Sequence, residues 1–418
     1  MADQRKEWLR AYDPEAYVDH SSDSLDYSTF IDKELIHFSN ADNVRSIPSA
    51  VDGLKPGQRK ILFACFKRGK SMIKNEIKVA QLAGYVAEHS AYHHGETSLA
   101  GTIVGMAQTF VGSNNIALLH PAGQFGTRLL GGKDAASPRY IFTKLPVLTR
   151  LIFHPADDAL LEYQEDDGQA IEPKHYVPIL PMVLVNGAEG IGTGWSSSVP
   201  NYNPREIVAN LRRLMADEPQ QPMHPWYRGY TGQVHTRRHQ HATSTPPARH
   251  AHATSTPWSH CDRMHTSLRP CPSPQPHPWP RPPPQVVPTE RGSYQSYGTL
   301  SKLDDTTLHI SELPLRKWTQ DYKETVLEPL LQGDGKGGET FASDLREHHT
   351  EQKVAFTLKV SSAAALAEAE KKGLHKHFKL STSLSTSNMT LFDEQGRIHK
   401  WETAERLLHD FYGLRLGE

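Results

Sequence analysis

A histidine- and proline-rich segment from Gln233 to Pro288 divides this chain of 418 residues into two parts. The segment contains eight histidines and thirteen prolines, and the hexapeptide HATSTP occurs in it twice, at 241–246 and 252–257. It has no apolar periodicity, so it cannot bury enough surface to offset the entropy lost on ordering. We therefore predict a low-complexity, disordered insert over 233–288. Any globular fold must be built from the sequence on either side.

The origin and chemistry of the insert stay open. It is either a lineage-specific insertion or intron sequence retained in the reading frame. Cys261 and Cys271 could bind zinc together with neighbouring histidines, but their spacing is not that of a common zinc site. Cys65 is the only other cysteine of the chain. So few cysteines argue against a disulfide framework and fit a reducing compartment.

A glycine-rich, basic stretch precedes a tyrosine at residues 123–142, GQFGTRLLGGKDAASPRYIF. Its glycines allow the backbone to approach a ligand closely. Its basic residues can bind phosphate oxygens; they are Arg128, Lys133 and Arg139. Because Arg139 directly precedes Tyr140, its guanidinium favours the phenolate and could neutralise charge on a phosphoryl group under attack. The alternative is a basic surface loop with a packed tyrosine.

The residues before this stretch predict a DNA-binding fold. Three short helices are predicted over 56–68, over 79–87 and from residue 97 or 98, and a glycine-rich, β-like wing follows. This order is typical of a winged helix, a variant of the helix-turn-helix. Residues 55–78 carry eight basic side chains and one acidic one, although the net charge of the chain is −1. This local patch could bind phosphates, or it could be a solvated helix face.

Two further motifs have more than one interpretation. Tyr92-His-His-Gly-Glu96 could indicate a metal site, but adjacent residues on a helix point in different directions and no third ligand follows at a suitable spacing. Glu189-Gly-Ile-Gly192 predicts a tight loop that presents Ile191. An exposed isoleucine can act as a wedge between base steps and kink a duplex, whereas a buried one would be a small core residue.

Five stretches of this sequence resemble eukaryotic DNA topoisomerase II, a type IIA DNA topoisomerase. They are SIPSAVDGLKPGQRK, YHHGE, GQFGTRLLGGKDAASPRYIF, EGIG and ISELPLRKWTQDYKETVLEPLL. The resemblance implies that Tyr140 attacks a DNA phosphate and that Arg139 stabilises the transition state. Together with the basic residues noted above, the predicted DNA-binding residues are Lys55, Arg59, Tyr92, His93, His94, Ser98, Lys133, Ile191 and Trp318.

The resemblance implies an α+β fold with a winged-helix (helix-turn-helix) domain followed by a mixed α/β tower domain. We expect residues 1–40 to form a connector that follows a Toprim domain. The winged-helix domain with the active-site tyrosine is expected over 41–165. The tower is expected over 166–232 and 289–418, interrupted by the disordered insert. The resemblance covers the DNA breakage-reunion region, without the ATPase, Toprim and coiled-coil C-gate parts of the family.

The function implied is that of an ATP-dependent type II DNA topoisomerase. Such an isomerase cleaves both strands transiently through 5′-phosphotyrosine links, passes another duplex and religates. Mg²⁺ and ATP are implied cofactors, but we find neither an acidic Toprim cluster nor an ATPase site. We therefore predict no metal-binding or cofactor-binding residue in this chain, and we expect it to be inactive in isolation.

The expected partners are double-stranded DNA and a second copy in a homodimer, and the expected location is the nucleus. No secretory signal or membrane span is predicted. The alternative function is a catalytically incomplete DNA-binding and bending module derived from this family. A bacterial gyrase-type protein is a third, weaker option, because the context of ASPRYIF and YHHGE is eukaryotic.

Overall fold

The computed structural model describes residues 2–19, 21, 23–236, 293–332 and 340–417. At the amino-terminal end lie α1 (Ala2–Arg10), α2 (Tyr27–Phe30), a π-helical turn (Ile31–Leu35) and α3 (Ile36–Ser46). The last three form one helical run that begins at Asp26, whose carboxylate accepts a 3.0 Å bond from the N–H of Thr29. The run spans residues 27–46.

The three predicted helices of the DNA-binding fold are present. They are α4 (Pro56–Lys67), α6 (Val79–His89) and α7 (Glu96–Ala107), with the short α5 (Lys70–Lys74) inserted after the first. Pro56 occupies the first turn of α4, where no N–H partner is needed. The helices pack through fully buried side chains such as Ile61, Leu82 and Ile103. Cys65 lies in the same core, and Cys261 and Cys271 lie outside the described residues.

The predicted wing is mostly loop. Strand β1 (Ile77–Lys78) pairs with β2 (Phe142–Thr143) over two residues each. Between them the chain turns repeatedly, with positive φ at Gly123, Gly126, Gly131 and Gly132. These conformations are incompatible with a strand, so the expected β-like wing is limited to one short pair.

The next part of the chain returns to the first core. It contains α8 (Val147–Ile152), a 3₁₀ turn (Pro155–Ala159), the hairpin β3 (Tyr163–Asp166) and β4 (Gln169–Pro173), α9 (Met182–Asn186), the hairpin β5 (Ala188–Ile191) and β6 (Ser196–Val199), and α10 (Pro204–Met215). Asn203 caps α10 by accepting a 3.0 Å bond from the N–H of Arg205, as its sequence predicts.

A second core is built on a four-stranded antiparallel sheet, and a three-stranded sheet contributes to a smaller cluster. The elements are β7 (Gln233–Thr236), β8 (Ser293–Tyr297), β9 (Thr299–Lys302), β10 (Thr307–Glu312), α11 (Thr319–Tyr322), a π turn (Lys323–Leu327), α12 (Glu328–Gln332), β11 (Ala342–Glu347), β12 (Phe356–Val360), α13 (Ala363–Lys372), α14 (Leu374–His377) and β13 (Ser381–Ser385). One sheet has the order β11-β12-β10-β9 and the other β13-β8-β7. Leu308 faces Leu358 and Ile310 faces Phe356, all fully buried, so alternation directs one face inward.

The carboxyl-terminal elements pack against the first core instead of the second. They are β14 (Met389–Phe392), β15 (Ile398–Trp401) and α15 (Ala404–Gly417). Met389 and Leu407 join the cluster that contains Ile61, as do Val183 and Ile207. Residues of this part therefore share a core with the predicted winged-helix residues. The domain boundary at residue 165 and the assignment of 389–418 to the tower stay predictions.

The α+β class predicted from the sequence is confirmed. The insert expected from residue 233 begins later, because Gln233–Thr236 form β7, the outer strand of a sheet. The rest of the insert lies outside the described residues, including its proposed zinc ligands. Within the described part of the chain, no helix is long and apolar enough to cross a membrane.

Candidate active site

Tyr140 lies near the base of a loop closed by paired backbone hydrogen bonds. We call residues 122–142 the tyrosine loop. Ala122 and Phe142 exchange N–H···O=C bonds of 3.0 and 2.9 Å, and the N–H of Ala136 donates to the carbonyl oxygen of Gln124 at 2.9 Å. The two closures hold both ends of the loop, so Arg139 and Tyr140 project from a backbone that is tied to its neighbours.

Glycine and one carboxylate allow this loop to fold on itself. Gly126 has φ +94°, and a Cβ there would lie 2.6 Å from backbone atoms of Gly132. The N–H of Thr127 donates to Asp134 at 2.8 Å, and its hydroxyl donates to the second carboxylate oxygen. The close approach of the two halves of the loop therefore requires glycine at these positions.

Arg128 anchors the loop to the second core and is not free to bind phosphate. Its guanidinium pairs with the carboxylate of Glu312 at the end of β10, and the two side chains are only 6% and 2% exposed. Glu312 also accepts bonds from the hydroxyl of Thr231 at 2.8 Å and from the N–H of Leu313 at 2.9 Å. The phosphate contact inferred from sequence for Arg128 is therefore wrong.

Trp318 covers the tip of the tyrosine loop. A Cβ on Gly131 would lie 2.3 Å from the indole ring, and Phe110 packs edge-on against the same ring at 5.7 Å. The N–H groups of Thr319 and Gln320 donate to carbonyl oxygens of the loop at 3.2 and 3.0 Å. Trp318 is half-buried in this packing. Its predicted DNA contact stays a prediction.

The geometry of Tyr140 and Arg139 fits that of a nucleophile and its electrostatic partner. Tyr140 is 73% exposed, and the guanidinium carbon of Arg139 lies 5.9 Å from its ring centre. The N–H groups of Val79 and Ala80, at the start of α6, donate to Ile141 and Pro138 on either side of the tyrosine at 3.0 and 3.1 Å. The partial positive charge of that helix end favours an anion at this turn.

The residues of the YHHGE motif gather at a second position, on the connection between α6 and α7. His94 packs edge-on against Tyr92 at 5.4 Å, and His93 lies 3.6 Å from the carboxylate of Asp166. Ser98 is exposed in the first turn of α7. Among the described residues, no hydrogen bond or ring contact joins Tyr140 to either histidine.

Lys55 and Arg59, both predicted to bind DNA, differ in their surroundings. Arg59 is 6% exposed, and its Nε and Nη2 donate to the two carboxylate oxygens of Asp52 at 2.7 and 3.1 Å. Burial alone would lower the pKa of Arg59, but the Asp52 carboxylate raises it above its ordinary value. The Asp52 carboxylate thus satisfies the charge of Arg59 internally, and the predicted DNA contact of Arg59 stays a prediction. Lys55 is half-buried, and burial lowers its pKa against the opposing effect of Glu189.

Ile191 ends strand β5 with its side chain in solvent. It is 85% exposed, while the glycines on either side face helix α3. A Cβ on Gly190 would lie 2.1 Å from the carbonyl oxygen of Ser46, and one on Gly192 would lie 2.1 Å from Oδ1 of Asn43. Helix α3 thus supports the hairpin from behind, and the apolar side chain is available as a wedge.

The structure adds two residues that the sequence did not single out as site residues. Lys78 is exposed and faces Phe142 across the β1–β2 pair. Phe142 follows Tyr140 by two residues. Its place in the basic run could have drawn attention to it. Glu189 pairs with Arg316, and a period-two pattern would have placed it on the same side of the strand as Ile191.

The described residues contain no group of three His, Cys, Asp or Glu side chains that could hold a metal ion. Acidic residues near the tyrosine loop have other partners. Asp134 accepts bonds from Thr127, and Glu76 pairs with Lys144 at 3.1 Å.

Comparison with known families places the chain among the topoisomerases. The family model for the A subunit of DNA gyrase and topoisomerase IV matches residues 45–255 and 283–417. The family model for the "C-terminal associated domain of TOPRIM" matches residues 1–43.

The chain is also similar to individual topoisomerases. It is 48% identical over 426 residues to human DNA topoisomerase 2-alpha, with 99% of this chain and 24% of the human protein covered. It is 47% identical over 411 residues to DNA topoisomerase 2 of Arabidopsis thaliana, with 98% and 24% covered. The chain therefore spans about a quarter of the length of the curated relatives it matches.

Among solved structures, the chain matches the DNA-binding, cleavage and re-ligation domain of Plasmodium falciparum topoisomerase II. The TM-score is 0.79 at 44% identity, and the match covers 100% of this chain and 49% of that chain.

Proposed function

The chain belongs to the type IIA DNA topoisomerase family, and from that premise we propose that it carries out the DNA cleavage and religation step of a type II topoisomerase. The observation that supports the proposal most directly is Tyr140. Its phenol is exposed, adjacent to an exposed arginine, and held on a loop that is anchored at its base and its tip. A tyrosine that served only to pack the loop would be buried instead.

The reaction is a transesterification in which Oη of Tyr140 attacks a backbone phosphorus. The P–Oη bond forms as the bond from phosphorus to the 3′ oxygen breaks. The phenol gives up its proton to water, and the departing 3′ oxygen takes one from water, so the 3′ end leaves as a hydroxyl and no net proton is released. Religation reverses each step. The 5′-phosphotyrosine link conserves the energy of the broken bond, so resealing consumes no nucleotide.

Arg139 and the neighbouring cations stabilise the charge that develops on phosphorus. The guanidinium of Arg139 offsets the charge of the pentacovalent phosphorus, and a fixed cation is most effective where water is excluded. Lys133 is exposed on the same loop and can bind an adjacent phosphate. In this proposal Lys55, Tyr92, His93, His94 and Ser98 hold the duplex further along, and Trp318 contacts it beside the tip of the loop.

Ile191 bends the bound duplex. An apolar side chain inserted between base steps unstacks them and kinks the helix, at a cost of a few kcal/mol that additional protein contacts offset. The hairpin that carries Ile191 is supported from behind by α3, so the side chain can act against DNA without being pushed back.

Magnesium, which the family uses together with ATP, does not fit the residues described. Among these residues there is no group of carboxylates able to hold Mg²⁺, and the acidic residues beside the tyrosine loop are engaged with other partners. No step of the proposed reaction therefore uses a metal ion held by these residues. In this proposal either cofactor is held by residues outside the described part or by another protein chain.

Two copies of the chain would cut the two strands of one duplex, because a twofold axis relates the strands to each other. The proposed substrate is double-stranded DNA and the proposed location is the nucleus. The second candidate function, a DNA-binding and bending module without cleavage, is favoured by the exposed wedge of Ile191 together with the lack of a metal site in the described residues.

One experiment separates the two functions. The chain is incubated with supercoiled plasmid, Mg²⁺ and a separately supplied Toprim domain, and protein–DNA adducts are trapped with denaturant. Adducts that form with the wild type and are lost in Tyr140→Phe support cleavage. DNA binding and bending without adducts would instead assign the module. The matched control is Tyr163→Phe. It removes another partly exposed phenol and should leave the adducts unchanged.

A further inference from the structure

Glu189 is an acidic residue on a face that otherwise fits DNA. Side chains alternate along strand β5, and Gly190 faces α3, so Glu189 and Ile191 lie on the opposite face together. The side chain of Glu189 is 58% exposed. If Ile191 inserts into a duplex, the Glu189 carboxylate must lie close to the phosphate backbone, where a negative charge opposes binding.

Two cations converge on this carboxylate from other parts of the chain. Arg316, in the segment between β10 and α11, forms an ion pair with it. Lys55 is the residue directly before α4, and the Glu189 carboxylate opposes the lowering of the pKa of Lys55 by burial. Both are residues that would meet phosphates. Arg316 adopts φ +66°, which is uncommon outside glycine, so the surrounding fold holds its backbone in this conformation.

The contact is suited to exchange. A half-exposed ion pair contributes little to stability, because water competes for both charges. A phosphate carries the same charge as the carboxylate and binds a guanidinium in the same bidentate manner. Replacement of the carboxylate by a phosphate therefore keeps Arg316 neutralised throughout.

We propose that Glu189 is a displaceable counter-ion that neutralises Arg316 in the DNA-free protein and gives way to a DNA phosphate as the duplex bends over Ile191. This inference rests on the proposed function in DNA binding. It adds that the carboxylate lowers the affinity of this face for any polyanion.

The test compares the binding of a short fluorescein-labelled DNA duplex to the full chain and to Glu189→Gln across a range of KCl concentrations. The variant should bind about threefold to fivefold more tightly at low salt. The slope of log K against log [salt] should stay the same, because the same cations neutralise phosphates in both complexes. The matched control is Glu368→Gln, which removes a carboxylate paired with Lys372 on helix α13 and changes the net charge equally.

The outcomes distinguish this inference from the proposed function. No binding by the wild type would contradict DNA binding itself. Wild-type binding with an unchanged or weaker Glu189→Gln variant would overturn only the counter-ion, and would show that the carboxylate orients its cations toward DNA. An equal gain in Glu368→Gln would also overturn it, since the effect would then be one of net charge.

A double variant tests the role of Arg316 separately. Arg316→Gln should bind DNA more weakly than the wild type. In that background Glu189→Gln should gain less affinity than it does in the wild type, because the cation that the carboxylate neutralises is absent. An undiminished gain in affinity would contradict the proposal, because Glu189 would then act independently of Arg316.

Discussion

Arg128 and Glu312 lie 184 residues apart in the chain and form a buried ion pair between the tyrosine loop and strand β10. The pair fixes the loop to the second core through side chains that have almost no contact with solvent. Its role is positional, because neither residue reaches the exposed face that carries Tyr140.

Removal of one partner of this pair should be strongly destabilising. In Glu312→Ala a buried guanidinium is left without its counter-charge, so we expect a loss of about 3–5 kcal/mol in the free energy of unfolding. Urea unfolding followed by circular dichroism measures it. The matched control is Glu368→Ala, in an exposed pair with Lys372, where the free energy of unfolding should hardly change. Equal effects of the two variants would contradict the anchoring role of Glu312.

Gly131 should not tolerate a side chain. Its φ is +63°, and a Cβ would lie 2.3 Å from the ring of Trp318, so Gly131→Ala must displace either the indole or the loop. We expect a loss of more than about 1 kcal/mol in the free energy of unfolding, with faster proteolysis of the tyrosine loop.

Gly101→Ala provides the opposite control. Gly101 lies in helix α7 with no atom within 4 Å of a Cβ, so alanine should raise the free energy of unfolding by about 0.5–1 kcal/mol. If Gly131→Ala behaved like Gly101→Ala, the packing of Trp318 on the loop would be refuted.

Ile191→Ala should reduce DNA bending without affecting the fold. The side chain is 85% exposed, so the free energy of unfolding should change by less than about 0.5 kcal/mol. Energy transfer between dyes at the two ends of a duplex reports the bend, and the transfer should fall in the variant. Leu148→Ala, another exposed apolar residue, should leave it unaltered. A bend that persists in Ile191→Ala assigns the wedge elsewhere.

Lys133 and Arg59 should respond to substitution in opposite ways. Lys133 is exposed, so Lys133→Ala should reduce the salt slope of DNA binding by about 0.9 while stability stays the same. Arg59→Ala should leave the buried carboxylate of Asp52 unpaired and cost about 3–5 kcal/mol of stability. Fluorescence anisotropy and urea unfolding separate the two effects. A stable Arg59→Ala variant with a reduced salt slope would support the predicted DNA contact of Arg59.

The sequence predicted the elements that depend on local signals. Pro56 and Asn203 mark the beginnings of α4 and α10, and the alternation of Leu308 and Ile310 marks a strand with one buried face. Each signal acts within a few residues, so the chemistry of the chain around it is enough to predict the outcome.

The sequence did not predict which charged residues are buried. Arg59 and Arg128 have the same side chain as Arg139, yet their partners, Asp52 and Glu312, are found only in the folded protein. Whether an arginine faces solvent or a remote carboxylate depends on long-range packing. The return of residues 389–408 to the first core also depends on tertiary contacts that no local pattern encodes.

The central claim is that Tyr140 forms the covalent link to DNA. Trypsin cleaves after Arg139 and after Lys144, so digestion of a trapped adduct releases the peptide Tyr140-Ile-Phe-Thr-Lys144. After nuclease treatment, tandem mass spectrometry should find this peptide carrying a 5′-phosphonucleotide on the tyrosine. An adduct mapped to any other residue, or DNA bound and bent with this peptide always unmodified in the presence of Mg²⁺ and the Toprim domain, would contradict the account.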